Sequence, residues 1–452
     1  MKYIQESPRS VPVMAETEVL VVGSGPGGLA AALAAARAGV KTLLVERHGC
    51  FGGAITQVGV NSLAWYRYEG TTDVEGIGIE FEQRASEASR TQRTPFERSD
   101  LIDTEMFKYV ADQLIQEAGI EPLLHCYAVD AIMEEEKIKG IITESKSGRQ
   151  AILAERVIDA TGDADIAVLS GVPHHKIPID EMMGVTVMFS CSGITVDRFL
   201  EYVRQNPATF GDWGGNWNIE TTGKEDGLFS PYLEEPFNRA REDGLIPADL
   251  TSIGGTWSRL TDAGEATGLN MVYMFCYDAT DVRDLTRGEM DGRRQAMLAL
   301  EVLRKYVPGF EEANLRNFGM TLGVRDSRKI IGKYALSEHD ARNQARFDDT
   351  IGIFPEFLDG YGILVLPTTG RYFQVPYGIL VPEKVENLLV AGRCVSGDKL
   401  SHAAMRSMMC CTVTGQGAGV AAAISVKDGV NCGDVEIKRV QKALTRQGVR
   451  IN

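Results

Sequence analysis

The chain has 452 residues, enough for two or three domains of ordinary size. Its 44% hydrophobic and 24% charged residues are globular proportions, which exclude a mostly disordered chain. A net charge of -15, from 47 Lys and Arg against 62 Asp and Glu, argues against a nucleic-acid partner and against docking on an anionic membrane surface.

The first 16 residues carry charges and two prolines but no apolar run, so no signal peptide is expected. No stretch reads as the roughly 20 uncharged apolar residues of a membrane span. The leading long candidate, Leu29 to Val40, is Ala-rich and interrupted by Arg37. The eight cysteines at 50, 126, 191, 276, 394, 410, 411 and 432 form no C-x-x-C pair. That pattern suggests neither a zinc knuckle nor a cysteine-ligated iron–sulfur cluster, and no metal site is expected. Free thiols in a reducing cytoplasm are the simplest reading.

Taken in chain order, Glu18 to Val22 is a short β-branched run, the pattern of a buried parallel strand. Gly23-Ser24-Gly25-Pro26-Gly27-Gly28 follows at once. Leu29 to Ala38 is rich in Ala and Leu and predicts a helix ended by Gly39. Val40 to Val45 predicts a second strand, with Glu46 at its end. Met106 to Glu117 predicts a helix ended by Gly119. Glu121 to Ala131, Ile138 to Ser145 and Gln150 to Ala160 predict strands. From about 166 to 380 the text changes: three of the four tryptophans (Trp213, Trp217, Trp257) fall here among Gly-containing loops. Leu388 to Gly392 predicts a strand again, and Cys410 to Lys427 a helix of small residues. No internal repeat or low-complexity linker is visible.

Gly23-x-Gly25-x-x-Gly28 gains weight from its place between a strand and a helix, with an acid at Glu46 after the next strand. The first glycine permits a tight turn and the second lets backbone N–H groups approach a pyrophosphate. The third lets helix and strand pack closely. The helix N-terminus adds about half a positive charge beside the phosphates. Glu46 is suited to both ribose hydroxyls of the adenosine half. NAD and FAD share this fingerprint. Three further segments bear on the choice: Glu46-Arg47 with Phe51-Gly52-Gly53-Ala54; Val157-Ile158-Asp159-Ala160-Thr161-Gly162-Asp163; and Leu389-Val390-Ala391-Gly392-Arg393 with Gly397-Asp398 and Thr412-x-Thr414-Gly415-Gln416-Gly417-Ala418-Gly419.

With Gly323-Val324-Arg325-Asp326-Ser327-Arg328 and Val375-Pro376-Tyr377-Gly378-Ile379-Leu380-Val381-Pro382, these segments resemble the FAD-dependent oxidoreductases of the glutathione-reductase superfamily. The resemblance is to the branch near the fumarate reductase flavoproteins, and within it to the family that includes the flavoprotein part of heterodisulfide reductase. It spans nearly the whole chain. It implies an α/β fold: a Rossmann-type FAD-binding domain from both chain ends (1–165 and 381–452) and an inserted α+β substrate or cap domain (166–380). It also implies FAD, held non-covalently, because His48 and Cys50 do not match the spacing of histidyl attachment.

Carried over residue by residue, the resemblance puts Gly23, Gly25 and Gly28 on the pyrophosphate and Glu46 on the adenosine ribose. Gly52, Gly53 and Ala54 fall along the ribityl–flavin half. Ala160, Thr161 and Gly162 fall against the adenosine–pyrophosphate region, and Gly392, Arg393 and Asp398 toward pyrophosphate and ribityl. The cofactor-binding set also takes in Ser24, Pro26, Gly27, Arg47, Thr56, Ala128 and Met408. The last helix would aim its N-terminus at the flavin pyrimidine edge. Two departures stand out: the iron–sulfur cysteines of the heterodisulfide-reductase type are absent, and Gly415-x-Gly417-x-Gly419 lies inside a predicted helix, so it reads as close helix packing and not as a second nucleotide site.

Ser401-His402-Ala403-Ala404-Met405-Arg406 lies just ahead of that helix. His402 is a candidate acid or base, and Arg406 a candidate anchor for a carboxylate or for the flavin anion. A turn cap and a structural ion pair are the blander reading of the two. Arg371 is a third candidate, with Tyr372, where the chain returns from the middle region. Asn61, Tyr66 and Arg67 are expected to reach the re-entrant flavin face, and Arg325 and Arg328 serve equally well in an ion-pair network. The leading expectation is hydride transfer between a small polar organic substrate and flavin. An electron-transfer subunit acting with a partner, and a flavin monooxygenase, are the alternatives. Expected partners are the small-molecule substrate and an electron acceptor (oxygen, a quinone or a protein carrier), with a homo-oligomer allowed.

Overall fold

The computed structural model describes residues 2–63, 73–89, 101–213, 217–223, 227–367 and 370–452. Its first sheet begins with β1 (Val13–Val22) and β2 (Thr42–Val45), joined by the helix α1 (Pro26–Arg37). β1 runs parallel to β2, with Val19 opposite Thr42 and Val22 opposite Val45. Proline occupies the first turn of α1, where its missing N–H costs nothing. The run from Leu29 to Ala35 is fully buried. Alanine on all sides lets this helix lie close to both the sheet and a second helix.

The predicted strand from Glu121 to Ala131 is two strands, β3 (Glu121–Leu123) and β4 (Tyr127–Glu134). His125 separates them with a φ of 54°, which turns the chain out of the first pairing and into a second. β3 joins the parallel sheet beside β2. β4 instead forms an antiparallel meander with β5 (Lys137–Ser145) and β6 (Gly148–Asp159). β6 holds the sheet together. One edge pairs along its length with β1, so that Val22 lies opposite Asp159. The other edge is shared: its first half pairs antiparallel with β5, and its last three residues pair parallel with the strand Leu388–Val390. Segments more than 200 residues apart thus meet in one mixed α/β sheet.

The helix Met408–Asp428 closes this unit and ends at Gly429, whose φ of 66° suits the left-handed cap. It is the described helix long and apolar enough to cross a membrane, a feature missed in the sequence, and it is almost wholly buried. A Cβ on Gly415 would lie 2.0 Å from the Gly27 carbonyl oxygen, and one on Gly419 2.2 Å from that of Ala31. The glycine run is therefore the contact surface for α1, four residues to a step.

The middle of the chain builds a second sheet. Phe189–Ser192 lies between Glu265–Val272 and Asn314–Phe318, with Ile253–Thr256 at the far edge. The long helix Val282–Tyr306 contributes Ala296, Leu300 and Leu303 to a core shared with this sheet, and Phe199 meets Trp257 and Phe310 edge-on. This second core runs from Val185 to Leu322. The segment 330–380, grouped with the middle region in the sequence, contributes Ile330, Ile351, Val375 and Ile379 to the first core. Its strands Thr350–Pro355 and Tyr372–Pro376 lie on the buried helix, where Ile351 fits against Gly417.

Candidate active site

The parallel strands β1, β2, β6 and Leu388–Val390 end together. Gly23, Glu46, Ala160 and Ala391 follow from those ends and line one cleft of about 640 Å³. That is the crevice where ligands bind in open α/β sheets. Gly23 has a φ of 94°, and a Cβ there would lie 2.5 Å from the Ala160 carbonyl oxygen. A Cβ on Gly25 meets nothing within 4 Å, so this glycine faces open space. Gly53, with a φ of 52°, presses on the Gly25 backbone and opens a single turn of π-helix, Ala54–Val58. Such turns recur at functional sites.

Glu46 is buried at the end of β2. Its Oε2 accepts from the Ser24 amide at 3.0 Å and the Ser24 hydroxyl at 2.6 Å, while Oε1 accepts from the His48 amide at 2.8 Å. These bonds fix the carboxylate and leave acceptor capacity on Oε1. Beyond β6, the Asp159 carboxylate accepts from the Thr161 amide and hydroxyl and from the Ala167 amide, holding the Ala160–Gly162 turn. Burial raises the Asp159 pKa. Burial also pushes the Asp163 carboxyl up, but Arg393 at 2.9 Å and the Ser327 hydroxyl at 2.6 Å outweigh it and leave its pKa below the ordinary value. Asp165, buried beside the charge of Asp163, is raised to about 6 even with Arg328 bonded to it.

Most of the sequence-predicted cofactor set lines this cleft: Gly23, Ser24, Gly25, Pro26, Gly27, Glu46, Arg47, Gly53, Ala54, Ala128, Ala160, Thr161, Gly162, Gly392, Arg393 and Met408. Four members do not. A Cβ on Gly28 would lie 1.9 Å from the Gly23 carbonyl oxygen, so Gly28 serves helix–strand packing. Gly52 packs on Thr56, whose hydroxyl donates to the Phe51 carbonyl at 2.6 Å. Asp398 caps the helix Lys399–Met405, accepting from the Leu400 and Ser401 amides.

The three catalytic candidates separate. Arg406 lines the cleft, and its Nη2 donates to Asp359 Oδ2 at 2.7 Å. His402 lies behind the wall, 1% exposed, with Nε2 donating to the Arg325 carbonyl at 2.9 Å and Nδ1 without a partner. Burial, with the nearby charge of Lys329, holds its pKa well below the ordinary value. The expected exchange of a proton with substrate is therefore revised for His402, because the imidazole is neutral and enclosed. Arg371 is revised as well: it pairs with Glu356 and donates to the Arg342 carbonyl, away from the cleft. Asn61 lines the cleft, while Tyr66 and Arg67 lie outside the described residues.

The second sheet supplies a wall that the sequence reading missed, with Thr186, Ser258 and Asn270 beside Asp359. No spacing signal marks them, since they converge from separate strands and loops. The two arginines of the 323–328 segment part company. Arg328 bonds Asp165 and the Asp163 carbonyl, whereas Arg325 faces the cleft. The helix Met408–Asp428 starts at the same place: Ser407, Met408 and Cys411 line the cleft, and the Ser407 side chain does not cap it.

A family model of FAD dependent oxidoreductases matches residues 18–444. The chain belongs to this family. The oxidoreductase is an enzyme whose cofactor is FAD, and the cleft fits that group. Gly25 leaves space where a Cβ would stand, Glu46 is fixed at one end, and an uncapped helix start lies at the other. The thiamine thiazole synthase of Methanococcus vannielii is 32% identical over 172 residues, covering 34% of this chain and 59% of that protein. The thiamine thiazole synthase of Saccharolobus islandicus is 30% identical over 174 residues, covering 36% and 60%. The chain thus spans about three-fifths of the length of the curated relatives it matches. Among solved structures, a geranylgeranyl bacteriochlorophyll reductase-like protein from Thermoplasma acidophilum aligns over 96% of this chain and 83% of its own, with a TM-score of 0.48 and 12% identity. The p-nitrophenol 4-monooxygenase of Pseudomonas putida aligns over 96% and 84%, with a TM-score of 0.42 and 11% identity.

Proposed function

We propose that this oxidoreductase stands in the glutathione-reductase superfamily near the fumarate reductase flavoproteins, and transfers a hydride between a small polar organic substrate and non-covalently held FAD. The observation that supports the reading is the continuity of one cleft. Its nucleotide-loop end carries Gly25 and Glu46, and its other end carries the polar groups Thr186, Ser258, Asn270, Arg325 and Arg406. A small polar molecule fits that second end; a surface built only for a protein partner has no use for it. FAD supplies the two-electron chemistry, returned to its starting state by oxygen, a quinone or a protein carrier in the cytoplasm.

The chain's own groups do the rest. Met188 and Phe357 give the far end an apolar lining that limits water. Arg406, fixed by Asp359, places a positive charge where the helix Met408–Asp428 begins. Asp359 Oδ1, the oxygen that Arg406 does not engage, takes the substrate proton.

Anaerobic screening of a metabolite library for bleaching of the oxidised-flavin absorbance tests the reading. With a bleaching compound in hand, Arg406→Ala should keep its FAD and slow flavin reduction by about 100-fold, the scale of removing one charge-stabilising group. Wild-type reduction rates in the variant, measured by stopped flow, would remove Arg406 from the reacting end.

A further inference from the structure

Arg325 is a cation on the cleft wall with no acid of its own. Its Nη1 donates to the Gly184 carbonyl at 3.0 Å and its Nη2 to Asn270 Oδ1 at 3.4 Å. The guanidinium stacks over the Tyr273 ring at 4.6 Å. Among the described residues no carboxylate is paired with it. The nearest charges that bear on it are Arg406 and Asp359, and those two pair with each other. The neighbouring acids face other bases: Asp326 bonds Lys329 and the Tyr361 hydroxyl, Glu289 bonds Arg293, and Asp163 bonds Arg393. This part of the cleft therefore holds one uncompensated positive charge.

Two amides add to it. Asn61 lines the cleft at 3% exposure, and its Nδ2 has no partner among the described residues. A Cβ on Gly268 would come within 2.5 Å of that nitrogen, so the Asn61 amide lies over the strand that carries Asn270. Asn270 accepts at Oδ1 from Arg325, which leaves its own Nδ2 free to donate. A buried donor with no acceptor is costly, and a half-buried cation without a counter-ion gains from one. Both needs are met by one ligand group that is planar, accepts several hydrogen bonds and carries a single negative charge.

Resting on the oxidoreductase reading, we infer that Arg325, Asn270 and Asn61 form a subsite for a carboxylate, so that the substrate is an organic acid. A guanidinium presents two parallel N–H groups in the geometry of a carboxylate, and the Tyr273 stack holds it in place before the ligand arrives. One net positive charge matches a monoanion better than a phosphate dianion.

The test uses FAD-loaded enzyme and the bound-flavin spectrum. Acetate, benzoate and succinate are titrated in, with acetamide, benzamide and inorganic phosphate as comparators. Wild type should show a saturable shift with at least one carboxylate, weaker with its amide and with phosphate. Arg325→Gln should weaken that binding on the order of 30-fold or more, with FAD content unchanged. Asn270→Asp, which sets a carboxylate against Arg325, should weaken it comparably and leave amide binding alone; it decides the matter if the arginine variant does not fold. Equal carboxylate affinity in wild type and both variants, tighter binding of phosphate, or no saturable shift with any carboxylate would each overturn the subsite. Purified wild type lacking FAD would overturn the underlying reading instead.

Discussion

Two glycines of one loop, three residues apart, ask for opposite outcomes. Gly25 faces open cleft, so Gly25→Val should fold with the stability of the FAD-free enzyme and fail to hold FAD. Gly28 faces the Gly23 carbonyl, so Gly28→Ala should lower stability by about 1–3 kcal/mol, the usual cost of forcing an atom into a packed site. Flavin content and urea unfolding of both variants check this; stoichiometric FAD in Gly25→Val would displace the pyrophosphate from this loop. His402 carries a different signature. Its folded-state pKa lies below the ordinary 6.5, so below about pH 6.5 the unfolded chain takes up a proton that the folded chain refuses. Stability from this residue is present above that pH and is lost as pH falls, by up to about 1.4 kcal/mol per unit. His402→Gln keeps a donor for the Arg325 carbonyl and has no proton to gain. Its stability should fall less than that of wild type between pH 7 and pH 5, and parallel pH profiles would contradict a neutral, enclosed imidazole.

At the level of the elements, the close approach of α1 and the helix Met408–Asp428 fixes where the nucleotide loop stands. Gly419→Ala pushes a methyl group onto the Ala31 carbonyl. Destabilisation of about 1–3 kcal/mol and weaker retention of FAD are expected together, because α1 carries the loop with it. Loss of stability with FAD affinity unchanged would show that the loop is held by the sheet alone. This part of the molecule was legible in the sequence for a physical reason: a glycine-rich turn between strand and helix, and small residues at helical spacing, are local patterns. The four cofactor-set residues outside the cleft wall show the limit. Gly28, Gly52, Thr56 and Asp398 adjoin the right motifs, but a turn's backbone and a helix cap use the same residue types as a ligand contact. Thr186, Asn270 and Asp359 were not legible, since only tertiary packing brings them to one wall. His402 and Arg406 were legible as neighbours, yet whether a side chain at a helix end faces the cleft or the core depends on partners that spacing does not reveal.

For the whole molecule, the cleft is lined from both hydrophobic cores, by Gly25 and Gly392 on one side and Asn270 and Arg325 on the other. The cores are also tied by the Arg259–Asp103 ion pair and by the Met320 amide, which donates to the Gln57 carbonyl. FAD should therefore shift the melting of both together, by about 2.7 kcal/mol at a free concentration a hundred times its Kd. Calorimetry showing two transitions, one of them insensitive to FAD, would uncouple them.

β6 has a further consequence. Its last three residues find their second neighbour in Leu388–Val390, and α1 finds its second face in the glycines near 417. A ribosome emits the amino-terminal strands long before either partner exists. The nascent chain must carry a raw strand edge and an alanine-coated helix through the synthesis of some 230 intervening residues, a wait of more than about ten seconds at roughly 5–20 residues per second. Chains stalled before residue 388 should engage holding chaperones or precipitate, and completed chains should refold slowly, as expected where distant segments must find each other before the sheet can close.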